Sequence, residues 1–414
     1  MAPLAPPAPI APLAPPAPRA WQGQSGFTAM AAPRPPAPSA RELPEPPRPP
    51  EAAEAPEAPE APERGNTSVH RREDSHGQTW SMTWNDDSES GSLQVNGSLV
   101  FDADGNVTDL KGTSLDLLVR RGGEVRQVTM QNRGHGLERR MLVNGAEQPW
   151  NQDATRWLAG FFVEVDRRSG FAADWRFPAL YEQGGAKAVL AEVALMTSDH
   201  ARSRYLTRLI EREPKLAGRT LDGTLSAVQQ MKSDYEKGRV LGAVAEHADL
   251  RDESLRQAFL GAAGQMKSDY EKGRVLQLVL RRKDLTPRLA GDALQVVAKM
   301  GSDYEKGRAL TALAEKLPAN LVDLYVGTVR SMKSDYEKAR ALVAVIDARQ
   351  IPPATLEAIV AACAEVRSDY EAARVLVAVA RRGPISDQLR SALVATAQRI
   401  RSQHERQRVL AAVQ

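Results

Sequence analysis

Cysteine occurs once in the 414 residues, at Cys363, so no internal disulfide framework can form. The apolar neighbours of that thiol, Ile359 to Ala362, mark it as a buried structural residue and not a reactive one. Histidine is also scarce: six residues, scattered, with no cysteine pair to join them. His404-Glu405 opens like a zinc-peptidase motif, but Arg408 stands where the second histidine would have to be. No phosphate-binding loop, dinucleotide fingerprint or nucleophile elbow is spelled anywhere. Asp102 to Asn106 starts like a calcium loop without its distant glutamate and reads as a hairpin turn. The sequence therefore gives no support for an enzyme, a metal or a cofactor.

Charge of one sign is lacking too. Lys and Arg number 55 against 52 Asp and Glu, a net charge of +3. Such balance makes no electrostatic case for a nucleic-acid groove or an anionic membrane surface. No run of 18 apolar residues occurs, so no membrane span is expected within this chain. The N-terminus does not read as a signal peptide, because an early basic region is missing and prolines interrupt every apolar stretch from Pro3 to Pro18.

What is present divides into four parts. Residues 1–65 form a disordered-type linker, first Ala/Pro-rich and then acidic and periodic (EAAEAPEAPEAPE, 51–63). Proline fixes φ and removes donors, so such tracts favour polyproline II, and they bury too little apolar surface to offset chain entropy. A stiff spacer fits this composition better than a ligand for a proline-recognising module, which is the other possibility.

Residues 66–150 predict a small antiparallel β-sheet domain. Trp80, Met82 and Trp84 alternate with polar residues at strand period, and further strands are expected at 92–101, 115–120, 124–131 and 137–143. Glycine-containing turns at 104–106, 121–123, 133–136 and 144–145 separate them, which makes a meander. One face is expected to carry Leu117, Val119, Val125, Val128 and Met130 or their cross-strand partners. Residues 151–184 read as a helical adaptor around Trp157, Leu158, Phe161, Phe162 and Val165, broken at Gly170 and resumed by Trp175, Phe177 and Leu180.

From residue 196 one phrase recurs, best written MKSDYEKGRVL (231–241 and again 266–276). Its serines stand at 198, 233, 268, 302, 334, 368 and 402, at intervals of 32 to 35. Seven copies at that period predict an α-solenoid of HEAT-like helix pairs over 185–414, and an α+β multidomain chain overall. Ser-x-x-Glu is a capping box, so each phrase should open a helix, with Asp next to the serine favouring the positive helix end. Leu206, Leu241, Leu276, Leu310, Leu342, Leu376 and Leu410 should form one core row. Gly238, Gly273, Gly307, Ala339 and Ala373 form a small-residue row, which suggests close helix approach.

Two further rows are the candidate site: Arg239, Arg274, Arg308, Arg340 and Arg374, and Tyr235, Tyr270, Tyr304, Tyr336 and Tyr370. Aligned Arg and Tyr could line a groove for an acidic or extended protein or peptide. They could equally be an internal ladder, each arginine paired with a carboxylate while tyrosine packs between helices. Identity in every repeat favours the ladder, since all copies share one folding problem. The end copies, with His200 and His404 in place of tyrosine, look like caps.

The Ser-Asp-Tyr-Glu-Lys phrase at this spacing, with the preceding sheet, Trp157-Leu158, Arg168-Ser169-Gly170 and Gly184-Gly185-Ala186, resembles one bacterial group. It is similar to the C-terminal extracytoplasmic region of membrane zinc metallopeptidases related to β-lactam sensor-transducers. That resemblance covers about residues 66–414 and implies an envelope-side sensory or interaction region after a Pro-rich linker. It carries over no peptidase activity, because the zinc motif and membrane helices of that group are not in this sequence. The expectation is a non-catalytic binding or scaffold region, extracytoplasmic by resemblance. The alternatives are a cytoplasmic stand-alone scaffold and, less favoured, a hydrolase with a site where sheet and adaptor meet. The identity of the protein partner and the oligomeric state are left open.

Overall fold

The computed structural model describes residues 68–74, 77–85, 88–102, 104–133, 136–213, 217–348, 351–383 and 385–414. The expected linker over 1–65 lies outside them. Among the described residues an antiparallel meander precedes a two-layer helical array.

The sheet runs β1 (Ser68–Asp74), β2 (Gly77–Asn85), β3 (Glu89–Phe101), β4 (Val107–Arg121), β5 (Glu124–Asn132), β6 (Leu137–Val143) and β7 (Ala146–Gln148). Each strand pairs with the next in sequence order. The tight turns use the residues that tolerate positive φ: Gly122 and Gly123 between β4 and β5, Asn144 and Gly145 between β6 and β7. Asp102 closes the β3–β4 connection as an Asx turn, its carboxylate accepting from the N–H groups of Asp104 and Asn106. A register shift falls after Asn96, where Gly97 meets Gly112 across the ladder.

One face of the sheet is apolar: Trp80, Met82, Trp84, Leu93, Val95, Leu115, Leu117, Val119, Val128, Met130 and Met141 are all buried. Val125 is not among them and is half-exposed. It stands three residues before Val128, and alternation with period two puts the pair on opposite faces. Over this apolar face lies α1 (Gln152–Ser169), whose Leu158, Phe161, Phe162 and Val165 share one core with the strands. Edge-to-face ring pairs, Phe101–Phe162 at 5.4 Å and Trp80–Phe171 at 5.6 Å, fill the space between. Asn151 caps α1 at its start, and Gly170 ends it in the left-handed conformation.

The chain then enters α2 (Ala173–Leu195), which breaks at Gly184 and Gly185, where the backbone leaves helical φ/ψ. Its second half packs on α3 (Asp199–Arg212) and α4 (Gly218–Gln229) and is the first helix of the array. The remaining helices are α5 (Asp234–His247), α6 (Glu253–Gly264), α7 (Asp269–Arg281), α8 (Pro287–Ala298) and α9 (Asp303–Ala314). A 3₁₀ turn (Ala319–Leu321) leads into α10 (Val322–Arg330). Then come α11 (Asp335–Asp347), α12 (Pro353–Cys363), α13 (Asp369–Ala380), α14 (Asp387–Ala397) and α15 (Gln403–Val413).

Odd-numbered helices from α3 onward are the phrase helices and pack on one another in sequence, as do the even ones. Seven helix pairs therefore form a solenoid. Leucines 206, 241, 276, 310, 342 and 376 are wholly buried in it, and Leu410 at the end is partly covered. No described helix is long and apolar enough to cross a membrane.

Candidate functional site

Each phrase helix begins as the sequence implies: Ser233, Ser268, Ser302, Ser334, Ser368 and Ser402 accept from the N–H three residues on, at 3.3–3.4 Å. The other half of the capping box does not form. The glutamates do not return to the serine N–H, because that donor is already taken by the aspartate of the preceding repeat. Asp199, Asp234, Asp269, Asp303, Asp335 and Asp369 accept from Ser233, Ser268, Ser302, Ser334, Ser368 and Ser402 N–H at 2.7–2.9 Å. In five of the six cases the same carboxylate oxygen also takes the N–H just before the serine. An aspartate thus caps its own helix electrostatically and pins the next repeat through two backbone donors.

The glutamates face the opposite way. Glu271, Glu305 and Glu337 lie on Gly238, Gly273 and Gly307 of the repeat before, where a Cβ would fall well inside contact distance of the carboxylate. That is the physical reason for glycine in mid-helix. Each buried glutamate then pairs with the candidate arginine one turn on, at 2.8–3.3 Å for Arg239, Arg274, Arg308, Arg340, Arg374 and Arg408. The arginine side chains keep 26–38% of their surface exposed, so the row is anchored inside and open outside.

The tyrosines are half-buried beside it. Arg340 lies 5.5 Å over the Tyr304 ring, Arg374 5.5 Å over Tyr336 and Arg408 5.8 Å over Tyr370, so each of these rings is covered by the arginine of the next repeat. One turn beyond the arginines, Ala243, Leu278, Ala312, Ala344 and Ala378 continue the stripe. The outer face of the phrase helices is thus a grid of tyrosine, arginine and small or apolar residues.

Carboxyl chemistry along the grid is uneven. At the first interface His200 (2.8 Å) and the Ser203 hydroxyl contact Glu236; burial opposes ionisation, yet these partners hold its carboxyl below the usual range. Where glycine or alanine replaces Ser203, that donor is gone. Burial raises Glu305 and Glu371, and it pushes Glu337 up to about 7 against the pull of Arg340.

The end copies are asymmetric. The first phrase keeps Asp199 and a small residue, Ser203, toward its successor, but has Ala201 where a backward-facing glutamate would be, packed beside Gly170. The last phrase keeps Glu405 but has Gln403 for aspartate and Gln407 for the small residue, both exposed. Each end copy retains the residues that face its neighbour.

A second polar group joins α1 to the array and was not foreseen from the sequence. Asp166, fully buried, accepts from Arg176 (2.7 Å), Tyr205 (2.5 Å) and the Ala172 N–H (2.8 Å). Glu192 accepts from Arg167 (2.8 and 2.9 Å) and Arg176 (3.2 Å). Burial pushes the Asp166 carboxyl up despite its arginine. At Glu192 burial is outweighed, and Arg167 and Arg176 hold the carboxyl below the usual range.

Where sheet and α1 meet, a cavity of about 480 Å³ is lined by Val119, Phe161, Trp157 and the charged Arg121, Arg126 and Glu164. Its arginines are engaged, Arg121 with Glu89 and Glu164, Arg126 with Glu124 and the Trp157 ring. Among the described residues no group of three or more His, Cys, Asp or Glu is placed to hold a metal ion. No protein-family model, curated protein or solved structure matches the chain.

Proposed function

We propose that residues 66–414 are a non-catalytic binding or scaffold region, the sensory or interaction part of a bacterial envelope signalling or membrane-peptidase-type protein. The observation that carries the binding half of this reading is the grid on the phrase helices. Tyrosine and arginine are the residue types that concentrate binding energy, and here they recur once per repeat, fixed from beneath and half-open above. A surface preorganised in this way loses little side-chain entropy when a partner covers it. The envelope half rests on the resemblance alone.

The test is proximity cross-linking of the full chain in its native cell, beside a Tyr270→Ser/Tyr304→Ser chain of unchanged melting temperature. A protein partner captured by the first and lost by the second supports the reading. Turnover of a substrate by the purified chain, or a partner that ignores both tyrosines, opposes it. Cell fractionation separates the envelope assignment from a cytoplasmic scaffold. Upstream DNA with in-frame membrane helices and a His-Glu-x-x-His motif would argue for the membrane-peptidase context.

A further inference from the structure

The acidic tract of the N-terminal region has a spacing that the phrase-helix face can measure. Glu51, Glu54, Glu57, Glu60 and Glu63 recur every third residue, and Pro56, Pro59 and Pro62 recur with them. In polyproline II, with three residues per turn and a rise of about 3.1 Å, such glutamates line one edge about 9.3 Å apart, and the prolines line another. Packed helices stand about 8–10 Å apart. Successive phrase helices pack side by side, so the arginine row advances by nearly the same step.

Five glutamates span about 37 Å. The five arginines from Arg239 to Arg374 sit on five adjacent phrase helices, four steps, or about 32–40 Å. Beside each arginine stands a tyrosine, and aromatic rows are what proline edges dock against. Charge, ring chemistry and repeat length agree at once.

We propose that residues 51–63 dock along the phrase-helix face of their own chain, each glutamate on one arginine and the proline edge against the tyrosines. This deepens the binding reading of that face and rests on it: the face is an extended-peptide groove whose resident occupant is the chain's own tract, which a partner must displace. The Glu337 carboxyl, pushed up to about 7 by burial, favours the arrangement, since a protonated partner leaves more of the Arg340 charge for an incoming carboxylate.

The test uses the full chain and a fluorescein-labelled peptide of residues 51–63. A full chain carrying E51Q, E54Q, E57Q, E60Q and E63Q should bind the peptide at least about tenfold more tightly than the wild type, because its own tract no longer competes. Adding Arg274→Gln and Arg308→Gln should lower that affinity at least about tenfold, as should raising the salt concentration. A peptide with its three prolines changed to alanine should bind at least about tenfold more weakly, and this arm needs no change to the protein. Equal binding by the proline-free peptide, no binding to either chain, or equal affinity for both chains overturns the proposal. So does wild-type self-association that the glutamine variant abolishes, since the tract would then occupy a second copy. If the peptide fails while Tyr270→Ser/Tyr304→Ser still loses a cellular partner, the occupant is wrong and the binding reading stands.

Discussion

The sheet with α1 and the solenoid solve the same problem of burying apolar surface by different means. The first uses large rings, each placed once: Trp80, Trp84, Phe101, Phe161, Phe162 and Phe171 interlock over contacts distant in sequence. The solenoid uses leucine, valine and alanine many times over and adds polar pins between neighbours. In the first a single wrong side chain is felt throughout; in the second it is felt by the adjoining repeats.

Phe162→Ala offers the sharpest break. The ring is fully buried between α1 and β3, and its loss should cost about 3–5 kcal/mol. Hydrogen exchange should then accelerate across β2 to β6 and α1 together, with α9 to α15 unchanged. Asp303→Ala is the counterpart in the array. It removes the acceptor of the Lys333 and Ser334 N–H groups and should cost about 2 kcal/mol. Faster exchange should be confined to the repeats meeting at α9 and α11; a uniform loss would mean the array unfolds as one body.

The third test uses pH. Glu337 has a folded pKa of about 7, above its ordinary 4.5. The folded state therefore holds this proton longer than the unfolded one, so stability falls as pH rises from about 4.5 to 7. Thermal unfolding should show a loss on the order of 2–3 kcal/mol across that window, flattened by Glu337→Gln, with no such slope assigned to the sheet. The smallest effect belongs to Gly273→Ala. Helix propensity gains about 1 kcal/mol, the new methyl crowds the Glu305 carboxylate, and Ala339 and Ala373 already occupy the equivalent positions. A melting change of more than a few degrees would mean the glutamate cannot shift.

The repeats were legible because a serine cap and a helical leucine pattern are local signals, and α7 starts at Asp269 as its phrase implies. The fate of the glutamate was not. Ser-x-x-Glu describes a single helix end, whereas the acceptor that reaches the serine N–H comes from 31 to 34 residues earlier in the chain, Asp303 for Ser334 or Asp234 for Ser268. An aspartate present beside the serine in six of seven copies was the available hint. In the sheet, β1 escaped notice because its sequence, SVHRRED, has almost no apolar alternation. β4 also extends well before the expected 115–120, because Gly112 interrupts the alternation inside it yet sits opposite Gly97 at a register shift. Both rows of the candidate site were visible as rows. Their anchoring to buried carboxylates depends on stacking and could be read only in three dimensions.

Every interior repeat offers its successor an aspartate and a small residue, glycine or alanine, and presents its predecessor with a serine N–H and a glutamate. Any interior copy therefore fits after any other, and the identical phrases at 231–241 and 266–276 are what duplication of one unit would leave behind. Unit number is then a quantity that can change while the kinds of contact between units stay the same. A chain lengthened by one interior unit should fold, and its tyrosine–arginine surface would grow by one step.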